Sequence, residues 1–442
     1  MDKLLYTFFD KNLTTIKSGE GIYLYTSNNK KLTDLTAGST GHAILGWSNK
    51  IILNQILKQA NKITHIDYKY WKDDNRTLLA NKILSNNKNK LDRIFIVGSS
   101  GAEACEAAIK MSYQVHYDNG LSDKKIIISR KQSYHGCTTH ALSIGDRPNL
   151  YFYKNILNKN VRKINEHNSI RYKKENETME NYALRSSKEL ENKILQIGPQ
   201  NVCSFVAETM AGGLVGDVPP AEGYWKCIRK ICDKYNVHLI LDEVWCGTGV
   251  SGKNFCIDYD DITPDFVFIS KTLAAGYGAL SLVATKKKLF EISKKKVGQI
   301  FYSNTHQGHS LSVAAALACQ KIINNKFFLQ SVYKKGELLR NYLDSEMSNH
   351  EFFVNIRGRG LRNSFEFRCE DQELFGIILK KNLMEKHNII IDSKWHRICL
   401  SPALIITKNE ILKNLEIICN EFKNLSKNWS AKNKKKIKFK YF

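Results

Sequence analysis

Short apolar runs alternate with amphipathic stretches through the middle of the chain. Val237-His238-Leu239-Ile240-Leu241 ends in Asp242-Glu243-Val244, and Asp265-Phe266-Val267-Phe268-Ile269 ends in Ser270-Lys271-Thr272. Arg93–Val97, Lys124–Ser129 and Val202–Ala207 have the same character. Continuous runs rich in Val, Ile and Phe, closed by turn-forming residues, predict strands buried in a parallel sheet. Between them lie helical spacings: Ala104, Ala107, Ala108, Met111 and Val115 share one face, and Tyr224–Tyr235 and Ser187–Ile197 read as helices. Strands alternating with helices from 93 to 285 predict an α/β fold with a mostly parallel sheet flanked by helices. Upstream, residues 19–35 alternate apolar and polar and predict a small hairpin turning near Asn28-Asn29, followed by helices at Lys50–Lys62 and Asp74–Asn87. Residues 150–190 are Lys- and Asn-rich with weak periodicity and read as a surface excursion. Leu311–Ile323 and Phe327–Met347 read as helices, and from Val354 shorter strands predict a smaller α+β domain. The expected division is an N-terminal segment (1–60) packing with the small domain, a large domain (61–327) and a C-terminal small domain (328–442) with a basic tail.

In such sheets ligands bind beyond the carboxyl ends of the strands. Asp242 and Lys271 therefore reach the same edge. An acid and an amine held together there suit pyridoxal phosphate (PLP), which uses a lysine Schiff base and an acidic partner for its pyridinium nitrogen. The plainer alternative is that such residues are turn and cap residues. The turn Gly98-Ser99-Ser100-Gly101-Ala102 feeds a helix, and Ser100 with Glu103 has the form of a capping box. Free N–H groups and the helix dipole favour phosphate at such a turn. Tyr134 follows another strand and could stack on a flat ring. His135 beside it reads first as a satisfied structural histidine and otherwise as a cofactor neighbour. Glu208 closes the strand at Val202–Ala207 on the same edge.

Composition changes this picture little. The formal charge is +24, from 67 Lys+Arg against 43 Asp+Glu. The bases are mostly Lys, dispersed through an Asn- and Ile-rich chain, so nucleic-acid binding is not the first reading. Only Lys432–Lys440 is a basic cluster, of the kind usually found as a solvated tail. The 11 cysteines form no Cys-x-x-Cys pair and read as reduced residues of a cytoplasmic protein, with no zinc site. No apolar run reaches membrane-spanning length, and the N-terminus, with Asp2 and Asp10, lacks a secretory h-region.

Several motifs then stand in order: "GEGIYLY", "SGAEACEAAIK", "SYHG", "DEVWCGTG", "SKTLAAGYG", "THQGHSLSVAAALA", "RGRGLRNSFE" and "RICLSPALIIT". With them the chain resembles a class III (subgroup II) PLP-dependent aminotransferase of fold type I from Gly19 to about Glu421. The resemblance implies that Lys271 forms the Schiff base and then moves the proton, and that Asp242 keeps the pyridinium nitrogen protonated. It implies phosphate contacts from Ser100, Gly101 and Ala102, ring packing by Tyr134 and Val244, and cofactor neighbours at His135 and Glu208. Thr305 resembles a threonine that reaches the neighbouring subunit's phosphate, which implies a homodimer. Arg397 resembles the arginine that holds a substrate carboxylate, and Trp71, with Tyr70, falls where the substrate entrance is often lined.

The implied reaction is ping-pong transfer from an amino acid or ω-amine to pyruvate or 2-oxoglutarate. Class III also includes lyases, racemases and an aminomutase, which keep the same lysine and aspartate. A basic nucleic-acid-binding scaffold on an inactive fold is the remote alternative. Four departures from the family pattern stand out: Ala102 for Ser or Thr, Trp245 for glutamine, Ser310 for proline, and Gly213 in "AETMAGGL" where many relatives carry a glutamate that masks the arginine matching Arg397. With no such carboxylate, Arg397 is expected to stay available or to be answered by another partner.

Overall fold

The structure, a computed structural model, describes residues 13–85, 87–427 and 429, with Leu4, Leu5 and Thr7. The basic cluster Lys432–Lys440 lies outside the described residues.

Three strands open the chain: β1 (Ile16–Glu20), β2 (Tyr23–Thr26) and β3 (Lys31–Asp34), an antiparallel meander. The expected turn at Asn28-Asn29 joins β2 to β3, and Asn29 takes the positive φ of 61° that Asn tolerates. The extra strand arises because Gly21, at φ 56°, reverses the chain within "GEGIY".

A seven-stranded sheet follows: β4 (Arg93–Ile96), β5 (Ile126–Arg130), β6 (Val161–Ile164), β7 (Val202–Glu208), β8 (His238–Asp242), β9 (Phe266–Ile269) and β10 (Leu282–Thr285). Its order is β4-β10-β9-β8-β7-β5-β6. β10 runs antiparallel to both its neighbours, and the other pairings are parallel. β5, β8 and β9 are buried throughout, as their continuous apolar runs require.

Two elements differ from expectation within the Lys- and Asn-rich stretch. β6 is an edge strand with only Val161 and Ile164 apolar, and its charged residues suit an edge. The helix expected at Ser187–Ile197 starts earlier and spans Met179–Ile197, capped by Thr178. Its first turns bury only Tyr182 and Ala183, too few to set a visible period.

The last part of the chain supplies β11 (Phe353–Arg359), β12 (Arg362–Phe367), β13 (Ile389–Ile390), β14 (Asp392–Lys394) and β15 (Arg397–Leu400). Four of them form an antiparallel sheet, β11-β12-β15-β14. The helices Lys326–Met347, Gln372–His387 and Lys408–Lys427 accompany that sheet. A ring cluster of Phe352, Phe365, Phe367, Phe375 and Phe422 fills the space between, in the edge-to-face and tilted contacts aromatic pairs prefer. β13 leaves this sheet and pairs in parallel with β3, so the first and last parts of the chain share one sheet.

Candidate active site

The parallel strands β5, β7, β8 and β9 end on one edge, and the sequence puts its chemistry there. Glu208 closes β7, Asp242 closes β8, and the ladder pairs them directly. Lys271 lies two residues past β9. Asp242 is held on both carboxylate oxygens: Oδ1 accepts the Val244 N–H at 2.9 Å and Oδ2 accepts His135 Nδ1–H at 2.8 Å. A carboxylate takes further donors beyond these two, so Asp242 is oriented and still able to accept. His135 is buried, and its Nε2 is without a partner among the described residues. Among the described residues its ring bonds are thus confined to Asp242.

Burial pulls the Lys271 amine down to about 8; Asp242 and Glu208 oppose this, while Arg362 and Lys394 add to it. The amine thus gives up its proton far more readily than a free lysine, which favours its nucleophilic form. Its Nζ stands 4.4 Å from the centre of the Trp245 ring and 5.9 Å from that of Tyr134. Burial also pushes the Glu208 carboxyl up to about 7, with Asp242 adding to the rise and His135 and Arg130 working against it.

The glycine turn behaves as a cradle. Glu103 Oε2 accepts the N–H groups of Ser99 and Ser100, both at 2.8 Å, and the Ser99 hydroxyl at 2.7 Å. Ser100 Oγ accepts the Glu103 N–H, closing the capping box. The Ser100 hydroxyl is therefore occupied by the cap. The first-turn N–H groups of Gly101 and Ala102 have no intrahelical partner and would suit an anion. A Cβ on Gly101 would come 2.9 Å from Val244, so the turn and the Val244 side chain meet only because residue 101 is glycine. Gly136, at φ 141°, lets the Tyr134-His135 segment settle on Ala102, where a Cβ would meet Ala102 Cβ at 2.5 Å. An oriented carboxylate, a buried amine, an anion cradle, and Val244 against the turn fit PLP. Asp242, Lys271, Gly101, Ala102, Tyr134 and Val244 are the residues that would hold it.

Arg397, on β15, is 1% exposed. Its Nη2 donates to the carbonyls of Gly213 and Leu214, both at 3.1 Å. Its Nε and Nη1 are buried without partners among the described residues. The answer to Arg397 is thus a pair of main-chain carbonyls. Gly216, at φ 95°, lets the loop close over the guanidinium, since a Cβ there would meet Nη1 at 2.0 Å.

Three site residues were not singled out in the sequence. Arg362 on β12 is buried, forms an ion pair with Asp217 at 2.7 Å, and lies 3.8 Å over the Trp245 ring. Asp217 also accepts the Ser364 hydroxyl at 2.6 Å. Its carboxyl is held below its usual range, because Arg362, Ser364 and Arg397 outweigh the effect of burial. His42 sits against Gly276, and burial lowers its pKa. The signals were faint: Arg362 lies inside the quoted "RGRGLRNSFE", but a charge pair between distant loops leaves no local period.

Two expected residues lie elsewhere on this chain. Thr305 is exposed and its carbonyl accepts from His65 Nε2 at 2.9 Å. Trp71 is 65% exposed, in the segment that follows His65.

Comparison with known proteins identifies the family. The aminotransferase class-III family model matches residues 9–421. An uncharacterised aminotransferase of Schizosaccharomyces pombe is 31% identical over 94% of this chain and 94% of its own length. Gamma aminobutyrate transaminase 2 of Solanum lycopersicum is 32% identical over 81% of this chain and 78% of its own. The crystal structure of the omega transaminase from Pseudomonas jessenii in complex with PMP superposes with a TM-score of 0.88 at 26% identity, covering 94% of this chain and 93% of that one. With the family model spanning nearly the whole chain, this protein belongs to the class III aminotransferases, enzymes that move amino groups on pyridoxal phosphate.

Proposed function

We propose that the chain moves an amino group from an amino acid or ω-amine donor to a keto acid, pyruvate or 2-oxoglutarate, in two half-reactions at one site. When bound, PLP supplies the carbonyl that receives the amine and the ring that accepts carbanion charge. In this reading Lys271 Nζ holds the cofactor and then carries the proton between its two positions. Asp242, steadied by His135, favours the protonated ring nitrogen. Glu208, whose carboxyl burial and the Asp242 charge beside it push up to about 7, is partly protonated at neutral pH and so adds little like charge next to Asp242. Arg397 takes the substrate carboxylate once the loop carbonyls release it. The observation that carries the proposal is the delivery of Lys271 and Asp242 to one sheet edge beside the Gly101-Ala102 turn.

The ω-amine part is supported by relatives named as gamma aminobutyrate and omega transaminases. We also propose a homodimer, on the exposed position of Thr305 and the family resemblance. Cytoplasmic residence is proposed on the 11 free cysteines, which suit a reducing compartment. No helix among the described residues is long and apolar enough to cross a membrane.

The test is the absorption spectrum of the purified, PLP-loaded protein mixed with single donors. The yellow band of the bound cofactor should fade with an ω-amino acid and return on adding a keto acid. A band that no donor bleaches, with products released without any acceptor, would instead support a lyase or racemase.

A further inference from the structure

Two cations lie over the Tyr134 ring. The Arg147 guanidinium is 4.6 Å from the ring centre and Lys271 Nζ 5.9 Å. Among the described residues the Tyr134 hydroxyl has no hydrogen-bond partner and the ring meets no other aromatic. No directional contact among those residues, other than these two, sets the tilt of the ring. Lys271 is the weaker of the two. It is farther away, and its nitrogen is engaged elsewhere whenever it holds the cofactor. Arg147 remains.

The backbone places Arg147 for this contact. It stands between the helix Thr139–Ile144 and the short helix Pro148–Tyr153. The Asp146 N–H donates to the Ser133 carbonyl at 2.7 Å, and Asp146 Oδ2 accepts the Gln132 N–H at 2.9 Å. These rungs tie the residue before Arg147 to the two residues before Tyr134, so the two side chains start from neighbouring points. Arg147 is exposed, and among the described residues no carboxylate or carbonyl takes its guanidinium. The adjacent Asp146 is bonded to backbone, and its charge acts on Lys163. A surface arginine with no acceptor ordinarily keeps its head in water. This one lies on a ring, whose negative face attracts it and whose plane its flat group matches better than an ammonium could. Burial pushes the Tyr134 phenol up, and Arg147 works against that rise.

We propose that Arg147 is a positioning residue for the cofactor: its guanidinium, answered by no carboxylate, clamps the Tyr134 ring at the tilt that packs on the cofactor ring. In this role it touches neither substrate nor cofactor and acts only through Tyr134. The proposal rests on the reading that Tyr134 packs on bound PLP.

The test is a double-mutant cycle on the PLP-loaded protein, read without turnover. Release of PLP into phosphate buffer is followed by the loss of its absorption band. The circular dichroism of that band reports how firmly the ring is held. Arg147→Met should speed release about threefold, the scale of an exposed cation–ring contact. It should also weaken the dichroism of the band while the far-ultraviolet spectrum stays native. Tyr134→Leu should speed release at least about tenfold. With Tyr134→Leu already in place, Arg147→Met should add nothing. Arg147→Lys should fall between wild type and Arg147→Met, since an ammonium is drawn to the ring but does not stack on it. An equal effect of Arg147→Met in both backgrounds would overturn the proposal and assign Arg147 to the Pro148–Tyr153 segment instead. No effect of Arg147→Met in the wild-type background would overturn it as well. If Tyr134→Leu itself leaves release unchanged, the packing reading of Tyr134 fails first and the role of Arg147 falls with it.

Discussion

At the scale of single residues, the loop that covers Arg397 would, on the proposed function, decide how keto acids bind. Arg397 rests on the carbonyls of Gly213 and Leu214, which are neutral and return to solvent or loop partners without leaving a charge behind. A carboxylate mask would compete with the incoming substrate for the same cation. Gly213 has ordinary backbone geometry, and a Cβ there would stand 3.4 Å from Lys394 Nζ, so a longer acid at this position reaches cationic company. Gly213→Glu should therefore raise KM for pyruvate and 2-oxoglutarate about tenfold, roughly 1.4 kcal/mol of binding, with a smaller change in kcat. Steady-state kinetics with both acids checks it. Unchanged KM for both would show that Arg397 does not face the keto acid. The missing glutamate was visible in "AETMAGGL"; its replacement by main-chain carbonyls was not, because carbonyls leave no mark in a sequence. Asp242 and Lys271 were legible for the opposite reason: each ends an apolar run, and strand ends in a parallel sheet share an edge. Arg362 and Asp217 were not, since their pairing depends on β12 meeting a distant loop.

At the scale of elements, part of the lysine surplus that composition shows as raw charge is used to tie loops together. Lys163 Nζ on β6 donates to Ser129 Oγ and the Gly145 carbonyl, both at 2.8 Å, and also to the Ile144 carbonyl. Lys124 Nζ donates to the carbonyls of Pro199, Val202 and Tyr235. Lys335 Nζ, from the helix Lys326–Met347, donates to those of Leu404 and Ile406. This explains why β6 escaped the pattern: an edge strand whose lysine turns inward does not alternate as the reading requires. Burial lowers Lys163 and Lys335 from 10.5 to about 8. Between those values the unfolded chain binds more protons than the folded one, so stability rises with pH across about 8 to 10.5 and is lost as pH falls through 8. Lys335→Met should remove its share of that rise. It should also lower stability at neutral pH by about 1–3 kcal/mol, because the Leu404 and Ile406 carbonyls lose their donor. Urea unfolding from pH 7 to 10 reads both effects. A Lys335→Met profile parallel to wild type would contradict the burial argument.

At the scale of the molecule, the chain closes on itself and leaves a seam open. β3 pairs with β13, and Tyr23 OH donates to Glu410 at 2.8 Å, so the N-terminal meander is bound to the last helix and sheet. The open seam runs through the segments after residues 60 and 298. His65 bonds the Thr305 carbonyl, and Arg76 donates to the Gly308 carbonyl at 2.7 Å while lying over the Tyr68 ring. Around these contacts Tyr70, Trp71 and Phe301 stand more than half exposed. Aromatic residues gathered on the outside of a folded chain mark an interface, and a two-fold pairing would bring each copy's Thr305 toward its partner. On the dimer proposed above, cofactor retention depends on assembly. Phe301→Asp should then weaken the dimer by about 2 kcal/mol or more, the scale of an interface hot spot. Cofactor loss on dialysis should follow the monomer fraction measured by sedimentation velocity across protein concentration. A wild-type protein that sediments as a monomer at micromolar concentration while keeping its cofactor would show that each chain completes its own phosphate site, and that the exposed aromatic seam serves another contact.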